Sequence, residues 1–329
     1  KFDTALGVAT VSFTATEAGE LSFPSAGIDR TGILLSAADT VETSAIDRFC
    51  DSVDLSVVSS YVDAAMSGAL SEKLGIISNS DLARVFGLAD DVASLASKGL
   101  SLIKKDPRQF AQSLAVSLGL SRWATTVTAW NRVGKQLSNL VDDENMSSGT
   151  KEWNRAEREN RVMSENVRAG LQNMAAIETL TRQLVISQMV GVASFVGTDQ
   201  DTYSPAGLPD VSESQSEPLA ETGISVSNEE IDDVGNSILE SLDAEMLLET
   251  DDETYQAIED ARTAVFEVLS ERSDEKVGLV TITPAEVTPA LVLAYDYHDD
   301  ASRDREVAVR NGVVREAFCP AEKLKVMSE

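Results

Sequence analysis

Apolar residues return at intervals of three and four along most of this chain, and that spacing confines it to a stack of amphipathic helices. Leu34, Ala37, Ala38, Val41 and Ala45 set a first helical segment over Ile33 to Arg48. Asp54 or Ser56 is placed to cap a second, whose face carries Val58, Tyr61, Val62, Ala65, Met66, Ala69 and Leu70, with Gly75 as its end. Ser80-Asp81 opens a third, with Leu82, Val85, Phe86, Ala89, Val92, Ala93 and Ala96 on one side and Gly99 as the break. Asp106-Pro107 is a helix start, and that helix reaches Leu118-Gly119. Trp123 to Val141 repeats the pattern, and Asp142 to Gly149 reads as a loop. A long helix is then expected from Thr150 to Val196, polar in its first half and apolar in its second through Met174, Ala175, Ile177, Leu180, Leu184 and Met189.

Both ends of the chain depart from this pattern. Val8 to Thr16 is β-rich and stands alone, and a lone strand is not stable in water. Residues 1–24 are therefore expected to be the last strand or strands of an N-terminal β-domain that precedes Lys1. At the other end, Leu279 to Thr283 reads as a strand, and Thr288-Pro289 starts the helix Ala290 to Tyr295. Asp300 to Asn311 reads as a short charged helix, and Leu324 to Met327 as a final strand. The fold class expected is mainly α with small α+β parts. Its divisions are 25–198 (helical domain), 199–227 (acidic linker or arm), 228–275 (helical hairpin) and 276–329 (β-α-α-β module).

Charge narrows the function. The 55 acids outnumber the 27 bases, for a net charge of −28, and residues 199–260 hold 19 acids with no Lys or Arg. Phosphate binding needs clustered bases, so direct nucleic-acid binding is not expected. Thr198 to Ser227 is turn-rich and poor in large apolar residues, as a loop or disordered arm is. Leu184 to Val196 is the longest apolar run, and it is too short to span a bilayer. The two cysteines, Cys50 and Cys319, lack metal spacing and are expected as free thiols.

Catalytic signatures are missing. His298 is the only histidine and sits beside Asp299 and Asp300, where it reads as a solvated turn residue. No phosphate loop and no paired Cys or His metal motif occurs. Asp232-Asp233 and Asp251-Asp252-Glu253 read as helix-start charge rather than a calcium loop. Neither an enzyme nor a cofactor is expected. Arg155, Arg158, Arg161 and Arg168 fall at helical spacing, with three readings open: contact with the chain's own acidic segment, contact with an acidic face on a neighbour, or a solvated face laced with Glu157, Glu159 and Glu165.

The C-terminal unit carries the most specific pattern. Pro289-Ala-Leu-Val-Leu-Ala-Tyr295, Asp300-Ala-Ser-Arg303, Arg310-Asn311, Phe318, Pro320 and Leu324-Lys-Val-Met-Ser328 resemble the end of the phage Mu N protein family, often labelled DNA circularisation proteins. Val11-Ser-Phe-Thr, Glu17-Ala-Gly-Glu20, Phe23-Pro-Ser25 and Met174 to Arg182 resemble earlier blocks of that family in the same order. The sequence departs from the family at Tyr297-His298, where the family has Tyr-Gly, and at Arg315-Glu-Ala317. The resemblance implies a structural subunit of a contractile phage tail, joining the tail tube to the baseplate or hub. It implies a virion location, assembly in the bacterial host cytoplasm and self-association, a hexamer first and a trimer second. The implied partners are the tail tube protein and the hub and wedge proteins of the baseplate. The C-terminal unit is also similar to LysM modules, which implies docking in a baseplate or, as the alternative, peptidoglycan binding or cell-wall processing. Candidate contact residues are Arg155, Arg158, Arg161, Arg168, Tyr295, Tyr297, Arg303, Arg310, Asn311 and Phe318, and no exposed aromatic platform is expected.

Overall fold

A computed structural model describes residues 2–3, 8–9, 29–80, 82–83, 87–119, 130–141, 146–198, 201 and 224–328. The described residues form eleven α-helices and two small antiparallel sheets. The helices of the body are α1 (Arg30–Ser52), α2 (Ser60–Ser78), α3 (Ala89–Lys105), α4 (Pro107–Leu118), α5 (Trp130–Leu140), α6 (Ser148–Arg158), α7 (Glu165–Ala193), α8 (Asn228–Leu248) and α9 (Asp252–Glu275). A mainly helical chain with small β parts is what the apolar spacing predicts.

Side-chain caps fix most helix starts. Asp29, Ser59, Asp106, Ser147 and Asp251 each accept a bond from a first-turn backbone N–H. Such a cap contributes about 1 kcal/mol. Ser227 and Glu230 form a reciprocal capping box at α8. Ser59 caps α2, in place of the Asp54 or Ser56 expected; Asp54 instead folds a short turn onto Ser56.

Three helix boundaries differ from expectation. Gly75 lies within α2, which runs on to Ser78. Gly99 lies within α3, where a β-carbon would come within 3.0 Å of both Leu70 and Phe110. It therefore serves close packing of α3 on its neighbours, and the chain turns earlier, at Gly87 with φ of +66°. The long helix expected over 150–196 is two helices. Asn160 takes a left-handed φ of 48°, the Arg161 N–H bonds Ala156 O, and the Asn160 N–H bonds Glu157 O. Those paired bonds are a Schellman stop, which ends α6 before α7 begins.

α7 is the axis of the body. It packs against α1, α2, α5 and α6, and more lightly against α4, α8 and α9. Every residue from Leu180 to Ala193 is buried, so this stretch has no solvent face. Its polar residues are accommodated individually: Ser187 bonds Ala38 O at 2.9 Å and Thr181 bonds Ile177 O at 2.8 Å. Asn173 clamps the α1–α2 connection, accepting from Asp54 N at 2.6 Å and donating to Asp54 O at 2.8 Å. Trp130 stacks on Phe195 at 4.3 Å, at the end of α7. α1 and α9 run antiparallel: Arg30 pairs with Glu271, Ser44 with Thr254, and Arg48 with Thr250.

Asp201 belongs to this core and not to a solvated arm. It is 3% exposed and accepts from Trp130 N at 2.8 Å and Gly197 N at 3.0 Å. Ile224, Val226 and Ser227 are buried too. The rest of the acidic stretch expected as an arm, 199–200 and 202–223, lies outside the described residues. At the N-terminus, β1 (Phe2–Asp3) pairs antiparallel with β2 (Val8–Ala9), Phe2 opposite Ala9. The strand expected there thus has a local partner; its remainder, from residue 10 onward, lies outside the described residues.

The last unit contains β3 (Leu279–Ile282), α10 (Ala290–His298), a 3₁₀ turn (Ala301–Arg303), α11 (Asp304–Arg310) and β4 (Leu324–Met327). β3 and β4 pair antiparallel, Leu279 opposite Met327 and Ile282 opposite Leu324. Ile282, Ala290, Leu293, Ala294, Val307, Ala308, Cys319, Leu324 and Val326 form its separate small core. The charged helix expected over 300–311 is thus a 3₁₀ turn leading into a shorter α-helix. His298 ends α10 with both ring nitrogens shielded from solvent, so it is not the solvated turn residue expected.

Candidate functional site

Two surfaces stand out. The first is the outer face of the C-terminal unit. α10 buries Ala290, Leu293 and Ala294 and turns Leu291, Val292 and Tyr295 outward, at 51%, 39% and 58% exposure. The segment carrying Phe318, 61% exposed, is held beside the start of α10 by the Thr288–Cys319 backbone pair and by the bond from Ala290 N to Glu316 O. Tyr297 and Val314 are exposed as well. Nine of the 19 exposed large apolar side chains among the described residues fall after Lys276. Single exposed apolar residues are ordinary, and it is their concentration on this small unit that makes it a candidate contact surface. Tyr295, Tyr297 and Phe318 are each exposed on this unit, Tyr295 and Tyr297 on different sides of α10 because they stand two residues apart.

The remaining sequence candidates separate. Arg310 is not a contact residue: its side chain is 1% exposed and bonds Glu230 at 2.7 Å and Ser225 O at 2.8 Å. It ties the C-terminal unit to the start of α8, helped by Leu279 N on the Glu229 carboxylate and Asn228 N on Val277 O. Asn311 is likewise an internal strut, donating to Val307 O and Lys325 O and accepting from Lys325 N. Arg303 bonds Glu306 on the same unit. The four arginines of the middle do not share one helix face, because the stop at Asn160 parts them. Arg155 and Arg161 both engage Glu152, Arg158 bonds Asn154 O at 3.1 Å, and Arg168 is exposed on α7.

The second surface is a cleft of about 290 Å³ between α1, α6, α7 and the end of α8. Its floor is a network of ion pairs that sequence reasoning missed. Arg182 bonds Glu245 at 2.9 Å, Arg48 bonds Glu249 at 3.2 Å, and Gln183 Nε2 donates to both glutamates. At one side Glu178 holds Lys73 at 2.8 Å and accepts from Ser147 N, Ser147 Oγ and Thr150 Oγ1. Burial pushes Glu178 up, but Lys73, Ser147 and Thr150 outweigh it and hold its carboxyl below the usual glutamate value. Burial pushes Glu245 up, against the pull of Arg182, and its carboxyl ends above that value. Trp153 and Leu247 stand at the cleft's edge, with Asp51 and Glu157 exposed on its rim. The signal available in the sequence was a charged pair, Glu178 and Arg182, inside an otherwise apolar helical run.

No group of three or more His, Cys, Asp or Glu among the described residues is arranged to hold a metal ion. No helix among them is long and apolar enough to cross a membrane. No family model matches the chain, and no curated protein matches it.

Proposed function

We propose that this chain is a structural subunit that works by docking, and that its partners are those implied by its resemblance to the Mu N family. In that reading it joins the tail tube of a contractile phage to the baseplate or hub, acting in the virion as a non-catalytic connector and associating with itself. The observation that carries the reading is the crowding of exposed apolar side chains onto the small C-terminal unit. That unit has the strand-helix-helix-strand order of a LysM-like module and presents Leu291, Val292, Tyr295 and Phe318 outward. It is fastened to the body by Arg310 and Glu229, so a load on its outer face is passed to α8.

The test is native mass spectrometry of the protein alone and mixed with the tube and hub proteins encoded beside it. A ring or a mixed complex is expected, and Leu291→Glu with Tyr295→Glu is expected to abolish it without altering helix content. A monomer that ignores both partners would overturn the reading. The exposed Tyr295, Tyr297 and Phe318 favour one alternative, peptidoglycan binding, because aromatic rings stack on sugar faces. Retention on purified cell wall, lost in Tyr295→Ala with Phe318→Ala, would favour that alternative.

A further inference from the structure

The two-stranded sheet of the C-terminal unit has two outer edges, and the described residues close only one of them. In an antiparallel pair, every second residue turns its N–H and C=O away from the partner strand. Ser328 N bonds Gly278 O, so the backbone groups of Val280 and Ile282 point to β4, and those of Leu279, Thr281, Lys325 and Met327 point outward. On β4 the amide of Asn311 takes both groups of Lys325, donating to its O at 2.7 Å and accepting from its N at 2.6 Å. On β3 the Glu229 carboxylate takes Leu279 N, and beyond it the edge is bare: no described residue bonds the N–H or O of Thr281. Thr281 is exposed, and Val280 beside it is 44% exposed. Exposed edges are usually blunted by charges or by a proline within the strand. Residues 277–285 hold no charged residue, and their one proline, Pro284, falls after the strand. An edge left in this state is a template for another strand.

We infer that β3 pairs antiparallel with β3 of a second copy, Thr281 of each opposite Thr283 of the other, to make a four-stranded sheet across a two-fold axis. This register begins past Leu279, so Glu229 keeps its place. It sets threonine against threonine on one face, a favourable cross-strand pair. On the other face it sets Ile282 against Ile282 and covers Val280 with Pro284 of the second copy. Charge permits a copy here: residues 276–329 hold nine acids and seven bases, so they carry only −2 of the −28, and the chains meet through nearly neutral parts. Because Asn311 closes β4, the pairing stops at two chains and does not propagate. The edge is separate from the outward face of α10. Assemblies built on it are even-numbered: a hexamer is three such pairs, and a trimer is not built through it.

The test is the native mass of the full-length protein and its variants. The parent is expected to contain an even number of chains. Thr281→Pro removes the outward N–H and spares the β3–β4 ladder, so it should reduce the smallest species from two chains to one with helix content unchanged. Val280→Lys, which places a charge at the seam, should do the same and serves if the proline unfolds the unit. Thr281→Cys chains mixed with Thr283→Cys chains should form a disulfide-linked pair on oxidation, and neither variant alone should. A monomeric parent, an odd-numbered assembly, or a dimer unchanged in Thr281→Pro and Val280→Lys would overturn the inference. Cross-linking of Thr281→Cys to itself would overturn the register. A dimer that survives Leu291→Glu with Tyr295→Glu belongs to the edge, and loss of the tube or hub complex with that dimer intact would bear on the docking reading alone.

Discussion

Glu178 is a buried acid kept ionised by its neighbours, and that makes its contribution depend on pH in a definite direction. Its folded carboxyl lies below the ordinary glutamate value of about 4.3, because Lys73, Ser147 and Thr150 outweigh burial. A lowered folded value means stability that is fully present above about pH 4.3 and lost as pH falls through the folded value. Glu178→Gln is therefore expected to destabilise the protein by roughly 3 kcal/mol at pH 7, since it leaves Lys73 without its buried counter-charge. The gap between variant and parent should narrow at pH 3.5, as read from urea midpoints at both values. An equal gap at both pH values would mean that Glu178 is not ionised in the fold. Glu178 and Arg182 were visible in the sequence as charges in an apolar run. Their partners were not, because Lys73 and Glu245 lie 105 and 63 residues away, and periodicity carries no information over such distances.

At the scale of elements, the boundaries that local chemistry dictates were legible, and those set by neighbours were not. Asp106-Pro107 announces α4 because the cap and the fixed proline φ act within one turn. Gly99 misleads because a glycine inside a helix can mean either a stop or a close approach, and the facing Leu70 and Phe110 decide for the latter; Gly75 faces open space and simply continues α2. The stop at Asn160 was hidden because residues on both sides of it are polar and exposed. The C-terminal order of strand and helix was legible because each piece is short and flanked by its own turn. The end of α7 shows an element closed by another element's side chain. Arg272 on α9 donates to Ala193 O at 2.9 Å, Val196 O at 2.7 Å and Ser194 O at 3.0 Å. Arg272→Met keeps the bulk of the stem but leaves those carbonyls without their donor. It is expected to cost about 2–3 kcal/mol, measured by urea unfolding, with early amide exchange at residues 193–198.

At the scale of the molecule, the charge of −28 sets the chain against itself. Raising ionic strength from about 0.01 M to about 0.15 M shortens the screening length from roughly 30 Å to roughly 8 Å. The thermal midpoint should then rise by about 2 °C, a shift that corresponds to about 1 kcal/mol for a chain of this size. A fall would show that attractive surface pairs such as Lys104–Asp63 outweigh the repulsion. The layout of the body has a mechanical consequence. α1 opens it and α9 closes it, and because they lie antiparallel with Arg30 beside Glu271, the chain enters and leaves at one pole. Tension applied between residues 29 and 276 would not shear the helices along their length. It would peel them apart one rung at a time, beginning at Arg30, and unzipping geometries of this kind yield at low force. Load taken in series would therefore have to pass through packed helical faces and side-chain ties such as Arg310–Glu230 and Leu279–Glu229, and not through the backbone at residues 29 and 276.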